Sequence, residues 1–341
     1  MPAVNDHRDT STPGNARAAC IAGLIEGMRH AKPDAAINDG YAALPEENLI
    51  PGLSLSDFAD DVEGGAGQEL SGKFRAVHSS AALAINCFAP LRASAQKFDI
   101  GACRDLQVDG FERRFPIGLA RAQAPHLDVV AIAPGEMVAI ESKCLEYLTP
   151  KRATFSPRYR TEIVDGRCEG PWFAEMVRLA SGGGTGYVLL DAAQLIKHAL
   201  GLTRTMALPT TLLYLFWEPM DAGLSPLFAQ HREEIDEFAK RVEGSTLRFA
   251  AMSYPELWAA WGESGDPFLR AHVAALRARY EVPAWAWEGV EWRDGRLCSA
   301  SFLDELLDNP EAQRAAAEEA INRAMAERGM SEDMARRLFG V

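Results

Sequence analysis

The chain has 341 residues, 48% hydrophobic and 24% charged, which is ordinary for a globular protein of one large or two modest domains. Its apolar runs are too short to cross a membrane and no secretion signal is visible, so we expect a cytoplasmic protein. A net charge of −13 excludes a uniformly basic surface, so any nucleic-acid enzyme would have to concentrate its positive charge locally.

The six cysteines occur singly along the chain. None of them forms a closely spaced pair of the kind that holds zinc, and their number is low for a disulfide scaffold. We therefore expect free thiols that serve as small core residues in a reducing environment. The residues are Cys20, Cys87, Cys103, Cys144, Cys168 and Cys298.

The N-terminal part of the chain is predicted to be a partly disordered arm. Residues 1–13 are polar and lack periodicity, whereas 15–30 carry apolar residues at helical spacing. A stretch rich in Pro, Gly and Asp follows over 32–67. A helix is then predicted from Gln68 to Ala93, with an interruption at His78-Ser79-Ser80.

The central block alternates strands and helices. Strands are predicted over 111–119, 126–133, 137–145, 210–217 and 246–252, and helices over 187–202, 226–242 and 267–280, with Ser253 and Pro255 opening one more. This order predicts an α/β fold with a central mixed β-sheet flanked by helices. We divide the chain into an N-terminal arm (1–65), a core (66–262) and a C-terminal helical appendage (263–341).

The third predicted strand carries an acid and a base on one face. Side chains alternate along a strand, so Glu141 and Lys143 project together, opposite to Ser142. Asp128 lies about six residues before the Pro134-Gly135 turn and Glu141 about six after it. A hairpin about that turn therefore brings Asp128 to the same strand ends.

Two carboxylates and a lysine at one sheet edge suit the hydrolysis of a phosphodiester. Carboxylate oxygens are the ligands that Mg²⁺ prefers, and Mg²⁺ keeps several of its waters. Such an ion polarises the phosphate and acidifies a water, while the lysine orients that water or neutralises developing charge. Because Glu141 and Lys143 are predicted at a strand end rather than in the core, replacing either by alanine is expected to leave the fold intact.

An Asp followed across a β-hairpin by Glu-x-Lys resembles the PD-(D/E)xK nuclease superfamily, the restriction-endonuclease-like fold. The resemblance covers residues 66–255, and a displaced proline, Pro125, departs from the usual pattern. The segments that carry it are His78-Ser79-Ser80-Ala81-Ala82-Leu83, Leu127-Asp128-Val129-Val130, Ile140-Glu141-Ser142-Lys143-Cys144 and Asp191-Ala192-Ala193-Gln194-Leu195-Ile196-Lys197-His198.

The resemblance implies a restriction-endonuclease-like core and a Mg²⁺- or Mn²⁺-dependent nuclease. Asp128 and Glu141 would be metal ligands, together with the main-chain carbonyl of Ser142. Glu69, from the helix before the sheet, would be a further carboxylate of the site, although a glutamate in a first helical turn also needs no function. Lys143 would assist the attacking water.

The resemblance also implies substrate contacts. Gln194 matches a position where related enzymes place a Gln or Lys near the site, and Lys197 lies one turn further on the same helix. DNA is the expected partner, with RNA left open, and cutting both strands would favour a homodimer.

A basic segment supplies further candidates for nucleic-acid binding. Residues 147–161 contain no acid, and a solvated loop is the competing interpretation of this stretch. Its basic residues are Lys151, Arg152, Arg158 and Arg160.

Other motifs are given structural interpretations. The glycine cluster at 182–186 lacks the Lys-Ser/Thr of a phosphate-binding loop and is expected to be a flexible connector. His78 and His198 are interpreted as buried, hydrogen-bonded histidines, with contact to phosphate as the alternative. No Gly-x-Ser-x-Gly elbow supports a serine hydrolase. The remaining alternative is a nuclease fold that has lost catalysis and acts in nucleic-acid binding or assembly.

Overall fold

The structure, a computed structural model, describes residues 11–63, 70, 72–118, 124–151, 153–156, 159, 170–182, 186–285, 290–293 and 296–299. The helices in these ranges are α1 (Pro13–Ala31), α2 (Ala59–Glu63), α3 (Ser80–Ala93), α4 (Pro171–Ala180), α5 (Ala192–Thr205), α6 (Pro226–Val242), α7 (Tyr254–Glu263) and α8 (Pro267–Tyr280). The strands are β1 (Ile37–Asn38), β2 (Tyr41–Ala42), β3 (Phe98–Ile100), β4 (Cys103–Arg114), β5 (His126–Ala133), β6 (Glu136–Lys143), β7 (Thr210–Phe216), β8 (Arg248–Ser253), β9 (Val290–Arg293) and β10 (Arg296–Ser299).

Strands β3 to β8 form one six-stranded sheet in chain order. The first four pair antiparallel, and β6, β7 and β8 run parallel. The parallel half is joined by α5 and α6, as a parallel crossover requires. The predicted α/β fold with a mixed sheet flanked by helices is thus confirmed.

The two faces of β6 contact different helices. Ser142 Oγ lies 2.7 Å from the hydroxyl of Tyr254, at the start of α7, and donates to the carbonyl of Ser80 at the start of α3. Glu141 instead faces His198 on α5. The predicted alternation along β6 is confirmed, and it places Glu141 on the α5 side of the sheet.

Two predicted strand and helix boundaries are wrong. Strand β4 starts at Cys103 and ends at Arg114, because its polar outer residues conceal a strand that pairs with β3 and β5. Helix α5 begins at Ala192, after the N-cap Asp191, whose carboxylate accepts from the amide of Gln194 at 3.0 Å. The helix predicted over 187–202 therefore starts too early, since residues 187–191 lie outside it.

Two helical predictions in the outer layer also change. Helix α3 begins only at Ser80, because Ser79 caps it by accepting from the amide of Ala82. Helix α4 went unpredicted inside the long basic loop, although its buried Trp172 and Met176 lie at helical spacing. Residues 1–10, most of the glycine cluster and the C-terminal helices expected beyond residue 300 lie outside the described residues.

Helices α1 and α8, from opposite ends of the described chain, pack together. A Cβ on Gly27 of α1 would lie 2.5 Å from the carbonyl oxygen of Arg279 on α8, so only glycine permits this approach. The buried guanidinium of Arg279 donates to the carbonyls of Leu24 and Val77 and to the Asn48 side chain. The arm and the first appendage helix therefore share one buried network.

The buried cysteines have the role that the sequence predicts. Cys20, Cys87, Cys103 and Cys144 are free thiols in the core. Within the described ranges, no helix has the length and apolar content that a membrane span needs.

His231 on α6 makes the stability of the fold sensitive to acid. The ring is fully buried, stacks on Tyr147 at 4.0 Å and lies 3.1 Å from the hydroxyl of Tyr214. Burial, helped by Arg232, lowers the pKa of His231 to about 3. The folded protein therefore keeps this ring neutral, while the unfolded chain binds a proton below about pH 6.5.

We expect this difference to cost about 2 kcal/mol of unfolding free energy at pH 5, lost as the pH falls from about 6.5 towards 3. Urea unfolding at pH 7.5 and 5.0 measures the drop in unfolding free energy between the two pH values. This drop should be smaller by about 2 kcal/mol in His231→Gln than in wild type. Equal drops in the two proteins would show that His231 does not titrate on unfolding.

Candidate active site

The predicted acidic residues meet where β5 begins and β6 ends. Regular pairing of these strands stops at Val129 and Ile140. Beyond that point the amide of Ser142 donates to Asp128 Oδ2 at 2.7 Å, so a side chain replaces the backbone carbonyl of β5. The same register places Asp128 opposite Glu141, as the hairpin geometry predicts.

Glu141 is held between two basic side chains. Lys143 Nζ donates to Oε1, and His198 Nε2 lies 2.9 Å from Oε2. Glu141 is only 2% exposed and the Lys143 side chain 12%. Both lie at the end of β6, as predicted, but the expectation that they lie outside the core is wrong. Truncating either would leave a buried partner charge uncompensated.

The electrostatics of the site separate its two central carboxyl groups. Burial raises the pKa of Asp128 well above its usual range, and Glu141 and Glu112 add to that rise. Burial would also raise the pKa of Glu141, but Lys143 and His198 outweigh it and lower the pKa to about 2. The site thus keeps Glu141 ionised and makes the charge on Asp128 costly.

Lys143 is held in its charged form. Burial alone would lower its pKa, but Glu141, Glu146 and Asp128 together raise the pKa of Lys143 above its ordinary value. Lys143 can therefore donate hydrogen bonds and neutralise negative charge, but it is a poor proton acceptor in this arrangement.

A cleft of about 660 Å³ opens over these residues. Its walls come from the ends of β4, β5 and β6, from α5, and from the loop after β6 that contributes Tyr159. The cleft contains three carboxylates, from Glu112, Asp128 and Glu141, and five basic side chains, from Arg114, His126, Lys143, Lys197 and His198. With the two histidines neutral, the three cationic side chains balance the three carboxylates, so the cleft is less acidic than the chain as a whole.

Three of the other predicted site residues can be located. Gln194 and Lys197 line the cleft from α5, and Lys197 Nζ also lies over the ring of Phe155. Lys151 lies 3.5 Å from Asp191 and lines a neighbouring small cavity beside Lys143. The remaining candidates, Glu69, Arg152, Arg158 and Arg160, lie outside the described residues.

The structure adds Glu112 to the site, which sequence reasoning missed. The β4–β5 register places Glu112 opposite Asp128, and its backbone is left-handed, with φ of 49°. Non-glycine residues seldom adopt this conformation, and such strain concentrates at functional sites. The sequence does place an acidic residue, Glu112, inside a predicted strand. That Glu112 lies opposite Asp128 follows only from the register of β4 and β5.

His198 was also missed, because it was interpreted as a core histidine. It is buried, but it contacts Glu141 in the cleft. Its position four residues after Gln194 places both on one face of α5, which was the signal that the sequence offered.

Comparison with known proteins identifies the family. The family model described as "Restriction Endonuclease associating with ARP" matches residues 25–281, about three quarters of the chain. No curated protein and no solved structure gives a significant match. The matched range includes all of the six-stranded sheet and the cleft, as well as the C-terminal part of α1 and all of α8. The chain belongs to the family of restriction endonucleases associating with ARP.

Proposed function

We propose that the protein is a nuclease that hydrolyses DNA phosphodiester bonds with Mg²⁺ or Mn²⁺. The observation that carries the proposal is the meeting of Asp128 and Glu141 across paired strands, with Lys143 beside them in one cleft. Membership of a restriction-endonuclease family supports nuclease chemistry in general. The metal, the substrate and the roles of the individual residues are what we propose beyond family membership.

The donor set fits a hard divalent cation. Asp128 and Glu141 offer carboxylate oxygens, and the Ser142 carbonyl points to the same side of β6 as its amide, towards Asp128. Burial raises the pKa of Asp128, and the nearby Glu141 and Glu112 raise it further, so a cation at this position would stabilise the ionised carboxylate. In the described ranges no three His, Cys, Asp or Glu side chains form a ready metal cage, which suits Mg²⁺, an ion that keeps its waters, better than Zn²⁺.

The residues of the cleft divide the work of hydrolysis. Asp128, Glu141 and the Ser142 carbonyl would hold the cation, which when bound polarises the scissile phosphate and acidifies a water. Lys143, kept protonated, would orient that water through its N–H groups and neutralise charge as it grows on the phosphate.

Substrate binding would fall to the basic side chains that line the cleft. Lys197 and Arg114 would contact phosphates, and Gln194 would donate to a phosphate oxygen. Lys151, Arg152, Arg158 and Arg160 stay candidates for contacts beyond the cleft. One cleft cuts one strand at a time, so cleavage of both strands of a duplex would call for a homodimer.

Cleavage of DNA is the experiment that tests this function. Supercoiled plasmid and single-stranded DNA are incubated with the full chain and Mg²⁺, Mn²⁺ or EDTA. We expect cutting with either metal and none with EDTA. Lys143→Met, which keeps the aliphatic stem without the charge, should cut roughly 10²- to 10³-fold more slowly. Exposed Lys240 on α6 supplies the control, Lys240→Met, which should cut normally.

Other outcomes would redirect the proposal. Equal cutting by wild type and Lys143→Met would place the chemistry elsewhere. If the folded wild-type protein and its variants bind DNA but none of them cuts it, the result would instead favour a nuclease fold that acts in binding or assembly. Cutting of RNA but not DNA would change the substrate while keeping the site.

A further inference from the structure

We infer that His198 is a positioning residue that holds the Glu141 carboxylate in the orientation that the cation requires. The inference rests on the proposed function and adds to it a residue on α5 outside the Asp, Glu-x-Lys pattern.

The first observation is that both carboxylate oxygens of Glu141 contact a basic side chain. Lys143 donates to Oε1 from the same strand, and His198 Nε2 approaches Oε2 to 2.9 Å from the helix above. A carboxylate held at one oxygen can still pivot about that oxygen as the other side-chain torsions change. The second contact fixes the plane of the group, which is what an oriented metal ligand needs.

The second observation is that Glu141 is the polar neighbour of the His198 ring. The ring is 2% exposed, and within the described chain its nitrogens have no hydrogen-bond partner apart from the 2.9 Å approach of Nε2 to Glu141 Oε2. Buried His272 differs, since its Nε2 lies 2.8 Å from the carbonyl of Cys87. Burying a polar ring is costly unless its nitrogens find partners, so packing alone gives no reason for a histidine at position 198, whereas the Glu141 carboxylate does.

The third observation is that α5 is anchored both just before its first residue and in its second half. Glu234 Oε2 accepts from three consecutive amides, those of Val188, Leu189 and Leu190, at 2.8–3.0 Å. On the sheet side, a Cβ on Gly201 would lie 2.3 Å from the carbonyl oxygen of Phe115. A helix fixed in this way holds the His198 ring at a set distance from β6.

Contact with His198 leaves Glu141 able to bind a cation. Each carboxylate oxygen has two lone-pair positions, so Oε2 can face Nε2–H with one and a cation with the other. Without the ring, the carboxylate would sample other orientations, and the cation would bind more weakly. Loss of such a supporting contact typically lowers metal affinity about 10- to 100-fold.

The test measures Mn²⁺ binding to the full-length protein by calorimetry, without DNA. His198→Leu removes the donor, whereas His198→Gln keeps an amide N–H close to the position of Nε2. We expect about tenfold weaker binding for His198→Leu and a value within about threefold of wild type for His198→Gln. His272→Gln, the matched buried control, should bind as wild type does. Cleavage with saturating Mn²⁺ should show a lower kcat and an unchanged KM for DNA in His198→Leu.

Each alternative outcome has a defined meaning. Wild-type affinity in folded His198→Leu overturns the inference and leaves the proposed function standing. Equal losses in the Leu and Gln variants would overturn it too, because they would make His198 a direct ligand. Wild-type protein that binds no Mn²⁺ overturns both. If His198→Leu fails to fold, His198→Asn replaces it, since its shorter amide cannot reach Glu141, and the same tenfold loss is expected.

Discussion

Asp128→Asn is expected to abolish DNA cleavage and, at the same time, to raise the thermal stability of the folded protein. The buried Asp128 carboxyl lies beside Glu141 and Glu112, and its raised pKa records the cost of charging it. Asparagine removes that charge and can still accept from the Ser142 amide. Relief of about 1 kcal/mol of like-charge repulsion would raise the Tm by roughly 1–2 °C in a chain of this size.

The same replacement removes a proposed metal ligand, so cleavage should fall by at least about 10³-fold. Thermal unfolding in EDTA and plasmid cleavage in Mg²⁺ measure the two effects on one preparation. Asp109, a half-exposed acid on β4 paired with Arg113, supplies the control. Asp109→Asn should change neither quantity, and a destabilised Asp128→Asn would make Asp128 a structural residue.

Arg279→Met should produce the largest loss of stability. The guanidinium is 3% exposed, and its hydrogen bonds go to two main-chain carbonyls and to Asn48. Methionine fills the space of the stem but leaves these acceptors without donors, at about 1–3 kcal/mol for each unsatisfied group. We expect a loss of about 3–5 kcal/mol in urea unfolding.

Arg270 on the same helix is exposed and serves as the control. Arg270→Met should lie within about 0.5 kcal/mol of wild type. Cleavage by folded Arg279→Met at low temperature should stay close to normal, because Arg279 does not line the cleft. A loss of stability below 1 kcal/mol in Arg279→Met would mean that water replaces the guanidinium at these acceptors.

The meeting of Asp128, Glu141 and Lys143 could be predicted because the information that fixes it is local. A tight turn at Pro134-Gly135 fixes the register of β5 and β6, and strand alternation then places Asp128 opposite Glu141 with Lys143 on the same face. Helices with clear N-terminal capping residues could also be predicted from the sequence, and α6 and α8 begin and end where predicted.

The rest of the site depends on contacts between segments that are distant in the chain. Glu112 reaches Asp128 only through the β4–β5 register, and β4 contains polar outer residues that concealed its first half. His198 reaches Glu141 only because α5 docks tightly on the sheet. The burial of Glu141 and Lys143 followed from that docking and could not be read from an isolated strand.

The pairing of α1 with α8 has a consequence for how the protein is made. The β5–β6 hairpin can form as soon as its own residues have been synthesised, because its contacts are local. The buried face of α1, which includes Cys20, Leu24 and Met28, is fully covered only after α8 leaves the ribosome. Until then the nascent chain exposes an apolar helix face that favours aggregation or chaperone binding. A fragment limited to residues 66–262 would lack both helices and leave the core that they cover open to solvent.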